Sequence, residues 1–146
     1  MKEQLTQSLI IGGGPAGYTA AIYLARYGRN PTVVMGPEPG GQLTLTTEVE
    51  NFPGFREPVQ GPWLMEEFAA QAAAYGTQLH HDKIIEVDFS KAPFVCQGEK
   101  TRYLCQTVII ATGASTKWLG LDSETFFRGY GVSSCATCDG RLFRGK

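Results

Sequence analysis

"LIIGGGPAG", residues 9–17, decides the fold. Three apolar residues, Leu9, Ile10 and Ile11, run into Gly12, and a helical pattern opens at Pro15. The spacing Gly12-x-Gly14-x-x-Gly17 therefore stands where a buried strand turns into a helix. Gly12 permits the tight turn, Gly14 leaves room for a pyrophosphate against the backbone, and Gly17 lets the helix lie close to the strand. The helix start then presents unpaired N–H groups and the positive end of its dipole to the phosphates. Glycine makes up 18 of the 146 residues, so the triplet alone is weak evidence. Its place between a strand and a helix separates it from a chance glycine-rich turn.

Downstream, the helical pattern continues to about Tyr27, with the small residues Ala16, Gly17, Ala20 and Ala21 able to approach a sheet closely, and Gly28 is a natural stop. Thr32-Val33-Val34-Met35 reads as a second strand, which completes a βαβ unit. An acidic residue that binds ribose hydroxyls is expected about 20 residues beyond the glycine motif. That place reads Val34-Met35-Gly36, without a carboxylate. Glu38 is the nearest, slightly late, and reads either as that ribose ligand or as a solvated loop residue.

Residues 36–62 hold five glycines and five prolines and cannot be regular structure throughout. A loop this long inside a compact domain is usually functional. A second helix follows, with Pro62 in its first turn, Glu66 and Glu67 near its positive end, Leu64, Phe68, Ala72 and Tyr75 on one face, and Gly76 as its stop. The period then changes to two: in "KIIEVDFS", Ile85, Val87 and Phe89 point one way, Glu86 and Asp88 the other. "APFVCQ" and "TRYLCQ" flank a turn at Gly98 as an antiparallel meander, and "TVIIATGA" adds a buried strand ending at Gly113. The fold class is α/β, with a parallel dinucleotide-type sheet, helices and a small antiparallel meander.

Composition narrows the function classes. The formal net charge of −1 and pI of about 6.1 give no electrostatic case for nucleic acid or an anionic membrane. The opening residues MKEQLTQS contain no secretory h-region, and apolar runs such as Val108-Ile109-Ile110-Ala111 fall far short of the roughly 18 residues of a spanning helix. The expectation is a soluble, cytoplasmic protein. Four cysteines in a chain of this size do not make a secreted disulfide scaffold.

Two of them, Cys135 and Cys138, form a Cys-x-x-Cys in "GVSSCATCDG", with the start of a helix expected after Cys138. A thiol at a helix start has its pKa lowered, and the thiolate is the nucleophile of disulfide exchange. Two intervening residues let the pair close into a small ring that carries two electrons, and the adjacent Asp139 is placed to move protons. Zinc would need four ligands, and Cys96, Cys105, His80 and His81 lack ligand-pair spacing. No metal is expected. Cys96 and Cys105 read as buried packing residues, with a disulfide between them as the alternative, though offset in the inferred hairpin register.

Taken together, "IIGGGPAGYTAAIYLAR", "GGQLTLTTEVENFPGF", "VIIATGAS" and "GVSSCATCDG" closely resemble the bacterial-type, low-molecular-weight NADPH-dependent thioredoxin reductases, from about residue 8 onward. The resemblance implies a Rossmann-like FAD/NAD(P)-binding fold, FAD as cofactor, NADPH as electron donor, thioredoxin as partner and a homodimer. Carried onto matching positions, it assigns the pyrophosphate to Gly12, Gly14, Pro15 and Ala16. Glu38 falls beside the adenosine ribose, with Val87 near the adenine, and Gly36, Pro37 and Gly40 count among the cofactor-binding residues. Gly41, Gln42, Leu43 and Asn51 line the flavin side, and Ala111, Thr112 and Gly113 form the crossover beside the cofactor. Cys138 becomes the thiol facing the flavin, Cys135 the one that attacks thioredoxin, and Asp139 the acid/base.

The same resemblance implies that residues 1–115 are the first segment of a discontinuous FAD domain and 116–146 the crossover and start of an NADPH domain. The chain is then incomplete relative to the family: it has no second glycine-rich fingerprint for NADPH and no Gly-Asp segment to complete flavin binding. On this reading it is inactive alone and leaves apolar sheet surface uncovered. Glutathione-reductase-like enzymes carry their cysteines near residue 41, where this chain has none. The flavoprotein subunits of alkyl hydroperoxide reductases share the late Cys-x-x-Cys and stand as an alternative, beside a stand-alone FAD-binding module.

Overall fold

The computed structural model describes residues 2–145, with all of their side chains except those of Arg141 and Leu142. Two compact units divide the chain, Met1–Gly113 and Ala114–Lys146.

The first unit is built on one six-stranded sheet. In chain order it contains β1 (Lys2–Ile11), α1 (Pro15–Arg26), β2 (Thr32–Val34), a 3-10 turn (Gly41–Leu45), α2 (Gly61–Ala74), β3 (Gln78–His80), β4 (Ile84–Asp88), β5 (Phe94–Gly98) and β6 (Thr101–Ile110). The spatial order is β3-β2-β1-β6-β5-β4. Strands β3, β2, β1 and β6 run parallel, while β5 and β4 return antiparallel as the meander.

Successive side chains of a strand leave opposite faces, so Leu9 and Ile10 on β1, and Val33 and Val34 on β2, serve two cores. Ile10 and Val33 meet Tyr18, Ala21 and Ile22 of α1 and Met65 and Ala72 of α2. Leu9 and Val34 instead join Cys96 of β5 and Tyr103 and Cys105 of β6, all fully or almost fully buried. The meander thus covers the sheet face that the helices leave bare.

Several elements differ from their sequence reading. β1 begins at Lys2 rather than near Ser8, because its outer half pairs with β6 from Lys2↔Thr101 to Thr6↔Cys105. The two segments read as "TRYLCQ" and "TVIIATGA" join in the single strand β6, which ends at Ile110 rather than at Gly113 and pairs with β5 over its first half and with β1 along its length. β3 has no counterpart in the sequence reading. Its three residues are fixed by parallel pairing to β2, a tertiary contact that leaves no local periodicity. Tyr75 lies just past α2 and is 44% exposed, its ring under the Arg26 guanidinium at 5.4 Å; Met65 takes a buried place on α2 instead. The alternating residues Ile85 and Val87 of β4, and Phe89 just past it, face outward, 59, 43 and 41% exposed.

The second unit holds α3 (Asp122–Phe127), α4 (Ala136–Asp139) and a 3-10 turn at Gly140–Phe143. The Glu124 carboxylate accepts the backbone N–H groups of Leu119, Gly120 and Leu121 at 3.0, 2.7 and 3.2 Å. These bonds hold Glu124 below the usual carboxylate range and pin the approach to α3. Arg128 stacks its guanidinium 4.0 Å over the Trp118 ring.

Candidate active site

The glycine turn has the geometry its spacing requires. Gly12 has φ +118°, a conformation L side chains rarely adopt, and a Cβ there would collide with the Ala111 carbonyl at the end of β6. A Cβ on Gly17 would strike the Gly12 carbonyl oxygen, so the absence of a side chain lets α1 lie against the turn. Above Gly14 there is open space, with no atom within 4 Å of a hypothetical Cβ. Gly14 is the N-cap of α1 and Pro15 follows; no side chain caps the helix start, which leaves its first N–H groups for a ligand. Sequence reasoning passes over Gly13, whose Cβ would lie 2.8 Å from that of Met35.

A second loop closes on this turn. Gly12 N–H donates to the Val34 carbonyl at 2.8 Å and Gly13 N–H to that of Met35 at 3.3 Å, so turn and β2 end together. From the far side Gly40 N–H donates to the Gly13 carbonyl at 2.7 Å, and Gly41 N–H to that of Glu38 at 2.9 Å. A Cβ on Gly41 would stand 3.7 Å from the Gly14 Cα, so this loop borders the open space over Gly14. Ala111 N–H donates to the Ile11 carbonyl at 2.8 Å, which brings the Ala111-Thr112-Gly113 segment alongside Gly12.

Gly12, Gly13, Gly40, Gly41 and Ala111 are thereby joined around the start of α1, whose N-cap is Gly14 and whose first residues are Pro15 and Ala16. Gly36, Pro37 and Glu38 lie in the loop that leaves β2 and returns to the turn at Gly40, with Glu38 exposed. Gln42 and Leu43 lie in the 3-10 turn at Gly41–Leu45, the former exposed and the latter half-buried. Asn51 is exposed in the loop before α2. Val87 stands on β4, at the sheet edge three strands from β1.

The Cys-x-x-Cys lies in the second unit and is closed as a disulfide, Cys135–Cys138, with the Cα atoms 5.3 Å apart. The helix expected after Cys138 starts earlier, at Ala136. Cys135 is extended at φ −131°, ψ 92° and acts as its N-cap: its sulfur accepts the Cys138 N–H at 3.2 Å and its carbonyl accepts the N–H of Asp139 at 3.0 Å. Cys138 and Asp139 therefore sit inside the single turn of α4. The Ser133 hydroxyl accepts the Cys135 N–H at 3.0 Å and donates to the Asp139 carboxylate, tying all three groups together.

The other two cysteines are free thiols in the core, Sγ to Sγ 3.9 Å. In register Cys96 faces Tyr103 and Cys105 faces Phe94, so they meet diagonally and are not bonded. Their shared hydrogen bond lowers the Cys96 pKa and raises that of Cys105, which burial pushes further up. Among the described residues no three of His, Cys, Asp and Glu gather as metal ligands.

Residues 6–144 match the family model described as pyridine nucleotide-disulphide oxidoreductase. Among curated proteins, the thioredoxin reductases of Rickettsia bellii and Vibrio cholerae are 54% and 53% identical over 140 and 136 residues, covering 95% and 93% of this chain. The chain spans only 45% and 43% of their lengths. Among solved structures, thioredoxin reductase from Giardia duodenalis superposes with a TM-score of 0.85 at 38% identity, over 95% of this chain and 45% of that one. The thioredoxin reductase of Streptococcus pyogenes gives 0.85 at 34% identity, over 94% and 45%.

Proposed function

The chain belongs to the pyridine nucleotide-disulphide oxidoreductase family, and on that premise we propose that it carries the flavin cradle and redox disulfide of a thioredoxin-disulfide reductase. The observation that carries the reading is the turn from Gly12 to Gly17: an uncapped helix start, open space over Gly14, and backbone packed where a Cβ would stand at Gly12 and Gly17. FAD fits this donor set. Gly14, Pro15 and Ala16 take the pyrophosphate beside Gly12. The Gly36-Pro37-Glu38 segment takes the adenosine ribose, and Val87 the adenine side. Gly40, Gly41, Gln42, Leu43 and Asn51 line the flavin side, and Ala111, Thr112 and Gly113 flank it. Residues 1–115 are then the first segment of the FAD domain, and 116–146 the crossover and the start of an NADPH domain.

When bound, FAD supplies two-electron transfer between a nicotinamide and a disulfide. Two electrons and two protons cleave the Cys135–Cys138 bond to two thiols. Cys135, as thiolate, then attacks the thioredoxin disulfide, and one thioredoxin sulfur leaves as a thiolate that takes a proton. Cys138 next attacks Cys135 in the mixed disulfide, re-forming the Cys135–Cys138 bond and releasing the second thioredoxin thiol. Asp139, held by Ser133 beside Cys135, moves the protons. NADPH is the electron source, thioredoxin the partner, a homodimer the working form and the cytoplasm the compartment; no described helix is long and apolar enough to cross a membrane.

The test is the visible absorbance spectrum of the purified chain mixed with FAD and passed through a desalting column. Bound flavin at about one per chain supports the reading. A colourless protein that stays folded overturns the cradle.

A further inference from the structure

Asp82 is a buried carboxylate that no proposed step uses. Only 6% of its surface is exposed, yet it lies in the polar run His80-His81-Asp82-Lys83. Its Oδ1 accepts the backbone N–H groups of Lys83 and Lys100 at 2.8 and 3.1 Å. Its Oδ2 accepts the Thr101 N–H at 3.0 Å and the Tyr103 hydroxyl at 3.2 Å. Tyr103 is in turn 3.1 Å from His80 Nδ1. Burial alone would push this carboxyl up, but the four donors outweigh it and hold it below the ordinary 3.8. A Cβ on Gly98 would run into the carboxylate, so the β5–β6 turn is shaped around it.

The backbone of Asp82 reaches the other way. Its carbonyl accepts the Gly36 N–H at 3.0 Å, at the residue where the loop bearing Glu38 leaves β2, and the His80 carbonyl accepts the Met35 N–H at 3.0 Å. That loop continues to the Gly40–Gly13 bond. On the side-chain side, Asp82 clamps the β5–β6 turn, and Lys83, which donates to it, accepts the Glu99 N–H at 3.0 Å just before β4. Asp82 therefore stands at a junction between the loop carrying Glu38 and the meander carrying Val87.

We infer that Asp82 is a positioning residue for the adenosine half of the dinucleotide: it fixes the Glu38 loop and the Val87 strand relative to one another without itself touching the ligand. The inference rests on the flavin reading above. It differs from a purely structural role in one respect. Loss of Asp82 weakens ligands that contain the adenosine half and spares those that contain only the flavin half.

The experiment titrates the 146-residue chain and its Asp82→Asn variant with FAD, ADP and FMN, with circular dichroism confirming that both are folded at the working temperature. The amide that replaces the carboxylate turns an NH₂ group towards donors that need an acceptor. FAD and ADP affinities are expected to fall about tenfold or more in the variant, with FMN affinity within about twofold of the parent. Equal losses for ADP and FMN, or no loss for either, overturn the positioning role. A parent chain that binds neither FAD nor ADP overturns the flavin reading itself, and the positioning role with it. Should Asp82→Asn not fold, Tyr103→Phe removes one donor and keeps the three backbone bonds. A severalfold loss confined to FAD and ADP in that variant supports the inference, and unchanged binding overturns it.

Discussion

The backbone N–H of Gly40 donates to the carbonyl oxygen of Gly13 across 2.7 Å, so the loop after β2 is stitched to the glycine turn between β1 and α1. The bond demands an unusual backbone. Gly40 has φ +93°, and a Cβ there would collide with Thr44 Cγ2 and lie 3.1 Å from Met65 Cβ. Gly40→Ala is expected to cost about 1–3 kcal/mol through left-handed strain alone. Chemical denaturation measures that loss, and flavin titration should show weakened binding, because the bond to Gly13 can no longer close.

Gly17→Ala acts on the other side of the cradle. Its methyl would meet the Gly12 carbonyl oxygen, a backbone atom with nowhere to retreat. Overpacking of this kind costs about 1–3 kcal/mol and tilts α1 away from the turn. Flavin retention on a desalting column should be lost, while circular dichroism still reports a folded α/β chain. Full retention would mean that α1 does not need its close approach.

The acid side of the stability profile should carry two steps. Burial and the nearby Lys2 charge lower the His80 pKa from its ordinary 6.5, against the opposing pull of Asp82. As pH falls below about 6.5 the unfolded chain takes up this proton first, so stability declines until the folded His80 also titrates. Asp82 is likewise held below the ordinary 3.8. Its contribution is whole above that value and is lost as pH falls through the lower folded one. Thermal melts between about pH 3 and 8 should show both declines; His80→Gln removes the upper one, and Asp82→Asn lessens the lower, to which Glu124 also contributes.

Thiol counting tests the cysteine assignment directly. With the Cys135–Cys138 bond closed and Cys96 and Cys105 buried, native chain should show no thiol to a bulky aromatic disulfide reagent. Mild reduction followed by removal of the reductant should expose two, and unfolding in denaturant all four of the chain's cysteines. Two fast thiols before reduction, with two more released only by denaturant, would mean that the Cys135–Cys138 bond is open.

What can be read in advance follows the range of the forces involved. The turn at Gly12, α1 and β2 announce themselves through local chemistry: small residues, a proline at the helix start, a β-branched run. The Cys-x-x-Cys is equally local, though its helix begins between the cysteines because Cys135 itself supplies the cap. β3, the outer half of β1 and the unbroken β6 stay hidden, since each exists through a partner far along the chain. Asp82 gives no signal at all. An aspartate between histidine and lysine looks solvated, and only the return of Lys100, Thr101 and Tyr103 around it makes it a buried acceptor.

The pairing of β1 with β6 has a consequence for how the molecule comes into being. Lys2 pairs with Thr101 and Ile11 with Ile110, so the two strands at the centre of the sheet are joined across nearly the whole first unit. On a ribosome β1 must wait, unpaired on this edge, until its neighbour emerges about a hundred residues later. Contacts of such long sequence separation slow folding and leave an open strand edge in the meantime. On the proposed reading, a nucleotide held at Gly12–Gly17 waits for that closure, because Ala111, whose N–H bonds the Ile11 carbonyl beside the turn, follows β6 in the chain. Flavin capture would then follow the joining of β1 to β6, and a chain in which those strands had not met would carry none.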